Sequence, residues 1–145
     1  MSELIIKHEY LIVANDFDIA GTASSSIKRN LKKLGIDPII VRKAAIVSYE
    51  AEINIVIHSY GGSIFLEIYD DKITIKANDN GPGIKDVDLA MSEGFSTATN
   101  AVRELGFGAG MGLPNIRKYS DVFNISSSEL GTNIDIDIFM DEKVN

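Results

Sequence analysis

The chain has 145 residues, a formal net charge of −7, no cysteine and two histidines. Its acidic balance argues against a nucleic-acid ligand, because phosphate backbones bind basic faces, and the absence of cysteine excludes disulfides, thiolate metal sites and cysteine nucleophiles. No apolar run is close to the length of a membrane-spanning helix, which is about 20 residues. The N-terminal residues lack the apolar core of a signal peptide. We therefore expect one cytoplasmic domain over residues 1–145, with no membrane contact.

The first part of the chain predicts a strand followed by a helix. Ile5 to Val13 is rich in β-branched and aromatic residues, which favours a strand. Asn15 to Asp18 offers helix N-caps, apolar positions recur at helical spacing from Ile19 to Leu34, and Gly35 stands where a C′ glycine would end the helix. The exposed face carries the most basic patch of the chain, namely Lys28, Arg29, Lys32 and Lys33. It is either a solvated face whose cations suit the helix C-terminus or a docking surface for an acidic partner.

A second helix should begin at Asp37-Pro38, with Asp as N-cap, and run to about His58. Glu50 and Asn54 recur at an interval of four on this helix, in register with His58, so they share one face. If that face looks into a pocket, Asn54 can offer an amide oxygen to Mg²⁺, and Glu50 can take a proton from a hydroxyl that attacks a phosphate. The alternative is that both are ordinary surface residues. Glu52 is a competing base, but it lies roughly 160° from Asn54 around the helix.

Two strands should follow, from Ser63 to Tyr69 and from Lys72 to Ala77. Their apolar positions alternate, which predicts one buried sheet face. Asp79 then opens the turn sequence Asp79-Asn80-Gly81-Pro82-Gly83-Ile84. Its carboxylate only accepts hydrogen bonds, so it would pair with the exocyclic amine of adenine and discriminate against guanine. A plain Asx turn is the alternative.

The segment from Gly106 to Leu113 contains four alternating glycines: Gly106, Gly108, Gly110 and Gly112. Such a run can lay its N–H groups against phosphate at the start of the helix that should follow to about Ser120. A flexible hinge explains the same composition. The spacing lacks the lysine of a Walker loop and the third glycine of the dinucleotide fingerprint. Before it, Lys85 to Met91 could form a short helix, and Ser92 to Gly106 predicts a mobile loop.

The chain should end in a hairpin, with strands from Val122 to Ser126 and from Ile134 to Phe139 around a turn at Glu129 to Gly131. Helices are thus grouped early, and most strands follow as hairpins. This order predicts an α+β fold, a two-layer sandwich with helices on one face of a mixed, mainly antiparallel sheet.

The three clusters together resemble the Bergerat-type, or GHKL, ATPase superfamily. The first cluster is Glu50 and Asn54 on a helix, the second is Asp79 with its glycines, and the third is the alternating glycines; Gly131-Thr132 follows them in the chain. Within the superfamily, the chain is most similar to bacterial anti-sigma factor serine/threonine kinases and to switch-protein kinases of partner-switching pathways. The single-domain length, the Glu-x-x-x-Asn helix and the absence of a phospho-acceptor histidine helix carry this closer resemblance, which covers nearly the whole chain.

The resemblance implies a Bergerat ATP-binding fold and a protein kinase that uses ATP and Mg²⁺. Asn54 would coordinate Mg²⁺, Glu50 would be the general base, and Asp79 would hold the adenine amine. Asp86 to Leu105 would form the ATP lid. The other nucleotide contacts would come from the two glycine segments, the lid and the last strand: Gly81, Gly83, Ile84, Ser96, Thr97, Arg103, Gly106, Gly108, Ala109, Gly110, Met111, Gly112, Leu113 and Thr132.

The implied substrate is a serine on a STAS-domain antagonist protein, with a sigma factor or another regulatory protein as a further partner and a homodimer as the expected assembly. Kinases of this group usually carry a basic residue near the glycines, whereas here the nearest candidate is Arg103. This departure motivates an alternative, a nucleotide-gated binding module that sequesters its partner without phosphorylating it. A third hypothesis is the ATP domain of a sensor histidine kinase acting in trans, although that group usually has Asn where Glu50 stands.

Overall fold

The computed structural model describes residues 3–84, 87, 91 and 112–140. Within them, five strands form one sheet in the order β1-β2-β3-β5-β4, and each of its four pairings is antiparallel. The strands are β1 (Leu4–Ile12), β2 (Gly62–Tyr69), β3 (Lys72–Asp79), β4 (Val122–Ser128) and β5 (Gly131–Phe139). The helices are α1 (Thr22–Lys33), α2 (Pro38–His58) and α3 (Gly112–Lys118). This architecture confirms the predicted α+β sandwich.

The core lies between the helices and one face of the sheet. Leu66 pairs with Ile75, and Ile75 pairs with Ile136, so the three side chains lie next to one another across three strands. All three are fully buried, as the alternating pattern predicts.

α2 is the central helix of the fold. It packs against α1, α3 and the sheet, and buried residues occur all around it: Ile40, Val41, Ala44, Val47, Ser48, Ala51, Glu52, Ile53, Ile55 and Val56. A helix that is apolar on all sides is expected in the interior of a domain. Asp37 caps its first turn as predicted, accepting a hydrogen bond of 2.8 Å from the N–H of Ile39.

α1 begins at Thr22, three residues later than predicted, and none of the expected caps between Asn15 and Asp18 is its N-cap. The N-cap is Gly21, whose φ of 99° suits glycine and which supplies no side chain. Glu52 from α2 takes over the capping role, since its carboxylate accepts hydrogen bonds from the N–H groups of Gly21 (2.9 Å) and Ser24 (3.0 Å). At the other end the prediction is confirmed, because Gly35 with a φ of 73° follows the helix.

The strands extend further toward the glycine-rich turn than predicted. β3 continues through Asp79, because Gly62 pairs with it at the end of the β2–β3 ladder. A side chain at Gly62 would collide with the carbonyl of Asn78, so glycine permits this close pairing. β5 begins at Gly131 rather than Ile134 and pairs there with the end of β4.

Other predicted elements fall mostly outside the described residues. Of the short helix expected from Lys85 to Met91, the structure describes Val87 and Met91, and the N–H of Met91 donates to the carbonyl of Val87 at 2.9 Å. The loop expected from Ser92 to Gly106 lies outside the described part of the chain. In the part that is described, none of the helices has the length and apolar character needed to cross a bilayer.

Candidate active site

The acid and the amide predicted on α2 lie directly against the start of α3. Glu50 and Asn54 are one helical turn apart, about 6 Å along the axis, and both are half-buried. A Cβ atom built on Gly112 would lie 3.4 Å from Oδ1 of Asn54 and 3.6 Å from Oε1 of Glu50. The last of the alternating glycines therefore leaves open a space that a larger side chain would occupy.

Glu50 contacts the structure on two further sides. Its Oε2 atom accepts a hydrogen bond of 3.2 Å from Nδ2 of Asn115 in α3. On the other side it borders a groove of about 290 Å³ between α1 and α2, which Lys28 and Tyr49 also line. Burial, with the neighbouring Glu50 and Glu52 carboxylates, raises the pKa of Tyr49, so its phenol stays neutral near pH 7.

Glu52 is separated from this site, as its position on the helix predicts. Its side chain turns toward the N-terminus of α1, where a third hydrogen bond comes from the N–H of Ala23 at 3.3 Å. The residue is only 2% exposed. Its carboxylate oxygens are therefore occupied by backbone donors, and it cannot replace Glu50 as a base facing Gly112.

The two carboxylate oxygens of Asp79 differ in their hydrogen bonds. Oδ1 accepts hydrogen bonds from the N–H of Gly81 at 3.0 Å and from the N–H of Thr132 at 2.9 Å. No described residue donates to Oδ2. The bond to Gly81 is the Asx turn that the sequence allows, and it leaves the second oxygen available as an acceptor.

Two hydroxyl groups complete the surroundings of Asp79. Oγ of Ser127 lies 2.8 Å from Oγ1 of Thr132 and accepts a hydrogen bond of 2.7 Å from the N–H of Ile84. Gly83 has a φ of 92°, and a side chain there would collide with the carbonyl of Ser128. The glycine-rich turn is therefore held closely against the β4–β5 hairpin.

The same turn is also tied to the end of α2. The N–H of Tyr60 donates to the carbonyl of Gly81 at 3.0 Å, and the N–H of Asn80 donates to the carbonyl of Gly61 at 2.9 Å. Asn54 lies four residues, about 6 Å along the axis, before the end of α2 at His58, and Gly61 follows three residues after that end. The acid–amide pair and the Asp79 turn thus follow one another along the direction of α2, an arrangement that suits an elongated ligand.

His58, the third residue of the Glu50–Asn54 face, lies between these two ends and is half-buried. Burial lowers the pKa of its imidazole, so the ring is neutral at physiological pH. It adds no charge to the site.

Several predicted nucleotide contacts lie outside the described residues, together with the expected lid from Asp86 to Leu105: Ser96, Thr97, Arg103, Gly106, Gly108, Ala109, Gly110 and Met111. Leu113 is described, and its side chain is buried in the hydrophobic core. Only its backbone could therefore contact a ligand.

Sequence reasoning missed Asn115 and Ser127. Asn115 lies three residues after Gly112, so helical spacing puts both on one face of α3; this was the available signal. Ser127 stands two positions outside the Glu129 to Gly131 turn, but a serine in a strand carries no comparable signal.

Comparisons with known proteins show which proteins the chain is similar to. Residues 42–142 match the family model described as "Histidine kinase-, DNA gyrase B-, and HSP90-like ATPase". The chain is 30% identical over 120 residues to the serine/threonine-protein kinase RsbT of Bacillus subtilis, covering 79% of this chain and 83% of that protein. It is 35% identical over 100 residues to the anti-sigma F factor of Caldanaerobacter subterraneus, covering 64% of this chain and 66% of that protein.

The family match spans more than half of the chain and includes most of α2, the Asp79 turn, the glycine series and the last hairpin. The predicted resemblance to GHKL ATPases, and within them to partner-switching kinases and anti-sigma factors, is confirmed. The chain belongs to the histidine kinase-, DNA gyrase B- and HSP90-like ATPase family.

Proposed function

We propose that this protein is a cytoplasmic, ATP-dependent serine/threonine kinase that phosphorylates a STAS-domain antagonist in a partner-switching pathway. The observation that carries the proposal is the position of the Glu50 carboxylate one turn before Asn54, with both groups against Gly112. The similarity to the serine/threonine-protein kinase RsbT supports the same reaction.

The proposed nucleotide lies along the C-terminal half of α2. Oδ2 of Asp79 accepts a hydrogen bond from the adenine amine, while Oδ1 remains bound to the backbone of Gly81 and Thr132. A carboxylate in this position discriminates against guanine, which presents a carbonyl oxygen there. The glycine series ending at Gly112 lines the phosphates.

Glu50 is the proposed general base. Its carboxylate accepts the proton of the substrate serine as the serine oxygen forms a bond to the γ-phosphorus. The bond between that phosphorus and the β,γ-bridging oxygen breaks, and ADP leaves with the electron pair. The charge and proton balance is closed by the protonated Glu50, which releases its proton to water after transfer.

Asn54 is the proposed magnesium ligand through Oδ1. A hard cation of this kind takes few protein ligands and fills its octahedron with phosphate oxygens and water. When bound, Mg²⁺ would neutralise negative charge on the phosphates. The donor set fits, since an amide oxygen is present and Gly112 places no side chain against it.

The decisive experiment incubates the protein with Mg-ATP and a purified STAS-domain antagonist protein from the same organism. We expect a phosphoserine on that partner. Glu50→Gln should reduce transfer by about 10²- to 10⁴-fold, because the general base is lost, while the Kd for ATP changes little. Glu9→Gln, an exposed carboxylate on the edge strand β1, is the matched control. Absence of transfer from wild-type protein that binds ATP would overturn the kinase assignment.

A second candidate is the sequestering module. It is favoured by the similarity to the anti-sigma F factor and by the absence of a basic residue among Gly106 to Gly112. In this case the protein would bind a sigma factor or another regulatory protein with an affinity that differs between ATP and ADP, and the mass of the partner would remain unchanged.

A further inference from the structure

Asn115 connects the proposed base to α3 across a separation of 65 residues in sequence. Its Nδ2 atom donates to Oε2 of Glu50 at 3.2 Å, and both side chains are half-buried. Asn115 is one turn into α3, on the face that begins with Gly112. α3 therefore faces the carboxylate in two places: the amide of Asn115 bonds Oε2, and a Cβ built on Gly112 would lie 3.6 Å from Oε1.

These two contacts make the carboxylate oxygens different from each other. Oε2 is held by the amide, while Oε1 lies on the side of Gly112 and of Oδ1 of Asn54. The terminal torsion of a glutamate is broad and roughly two-fold, so an unrestrained carboxylate would sample many orientations. A hydrogen bond to one oxygen restricts that rotation and keeps the lone pairs of the other oxygen directed at the side of Gly112.

The chemical nature of Asn115 suits this task. An amide donates through Nδ2 without adding a positive charge beside the base. A lysine or arginine in its place would form an ion pair with Glu50 and compete with the hydroxyl proton for it. Asn115 thus restrains the carboxylate without itself neutralising the negative charge.

We propose that Asn115 is a positioning residue that fixes the Glu50 carboxylate so that Oε1 faces the hydroxyl to be phosphorylated. The inference rests on the proposed kinase function and extends it to a residue outside the motifs of the sequence analysis. It requires that Asn115 affect the transfer step rather than nucleotide binding.

The test compares Asn115→Ala with wild type in single-turnover transfer to the STAS-domain partner. We expect the transfer rate to fall by about 10- to 100-fold, because misplacement of a catalytic group is costly, while the Kd for ATP stays within about twofold. Asn115→Gln keeps the amide and should recover part of the rate. Arg117→Ala, an exposed position on the same helix, is the matched control and should leave transfer unchanged.

A double-mutant cycle separates positioning from a general defect of α3. In the Glu50→Gln background, Asn115→Ala should cause no further loss, because the group that it positions is already absent. Additive losses would overturn the proposal. A weaker Kd for ATP with an unchanged transfer rate would also overturn it, since Asn115 would then be a nucleotide contact.

A spectroscopic measurement tests the contact without any transfer assay. In ¹⁵N-labelled protein, the side-chain amide resonances of Asn115, assigned by their absence in Asn115→Ala, should move in Glu50→Ala and stay in place in Glu129→Ala. Unmoved resonances in Glu50→Ala would overturn the positioning role. If the resonances move but wild-type protein transfers no phosphate, the kinase function fails and the contact itself stands, so the two failures are distinguishable.

Discussion

The carboxylate of Asp79 serves both the fold and the proposed ligand. Oδ1 accepts two backbone N–H groups, from Gly81 and Thr132, which fixes the carboxylate plane. Hydrogen bonds to a charged acceptor are among the stronger ones in proteins. The free oxygen is therefore held in one direction before any nucleotide arrives, and its selectivity for an amine donor depends on this restraint.

Asp79→Asn should weaken ATP binding and improve the relative affinity for GTP. The amide oxygen would keep the bonds to Gly81 and Thr132, so the amide nitrogen would face the adenine amine as a second donor. We expect the Kd for ATP to rise by about 10- to 100-fold, measured by calorimetric titration with ATP and with GTP.

The control for this titration is Asp135→Asn, an exposed carboxylate on β5, which should bind ATP as wild type does. If wild-type protein binds GTP as tightly as ATP, Asp79 does not discriminate adenine from guanine. An unchanged ATP affinity in Asp79→Asn would lead to the same conclusion.

At the residue scale, the sequence predicted side chains whose partners are close in the chain and missed those whose partners are distant. Glu50 and Asn54 share a face because of local helical spacing, and the Asx turn at Asp79 reaches only to Gly81. Asn115 contacts a residue 65 positions away, and Ser127 contacts one 43 positions away. Such contacts depend on how elements pack, which spacing along the chain does not encode.

Among the elements, α1 depends on α2 for its N-terminal cap. Three backbone N–H groups, from Gly21, Ala23 and Ser24, donate to the carboxylate of Glu52. The first N–H groups of a helix have no partner within the helix, and leaving them buried without an acceptor is costly. Packing of α1 on α2 and formation of the first turn of α1 are therefore coupled.

Glu52→Ala should destabilise the protein by about 3 kcal/mol, because it removes a charged acceptor from buried donors. Glu52→Gln retains one acceptor oxygen and should lose about half as much. Urea denaturation measures both, with Glu129→Ala as the exposed control. A change of less than about 0.5 kcal/mol in Glu52→Ala would show that other groups or water satisfy these donors.

The same dependence explains which element boundaries could be predicted. α2 begins where Asp37-Pro38 predicts, because its cap is formed within three residues. α1 begins later than predicted, because its cap comes from another helix. β3 extends to Asp79 because of its partner Gly62, again a contact between elements.

On the scale of the whole molecule, α2 brings the two ends of the proposed site together. It lies between the sheet and the other helices, so its position is fixed by burial on several sides. One end of the site is formed with α3 at Gly112, and the other by the turn that joins Gly81 and Asn80 to the residues following α2. The fold class followed from the order of elements, but this convergence required the packed structure.

If the Asn54 end and the Asp79 end of the site bind one nucleotide, each should contribute separately to the stabilisation of the folded protein by ATP. A ligand at 100 times its Kd stabilises the native state by about 2.7 kcal/mol. Mg²⁺ should add no stabilisation by ATP in Asn54→Ala, whereas ATP in EDTA should stabilise this variant as much as it stabilises the wild type. Asp79→Asn should be stabilised much less than the wild type by Mg-ATP, by ATP in EDTA and by adenosine alone.

Thermal unfolding of each variant with Mg-ATP, with ATP in EDTA and with adenosine measures these contributions. Asn124→Ala, an exposed amide on β4, is the control for Asn54→Ala and should keep the Mg²⁺-dependent increment. Because Asn54 lies on α2 and Asp79 lies at the end of β3, each substitution should remove only its own part of the stabilisation. If Mg²⁺ still increases the stability of Asn54→Ala with ATP, this amide is not the metal ligand. If adenosine still stabilises Asp79→Asn, the adenine ring binds at another place.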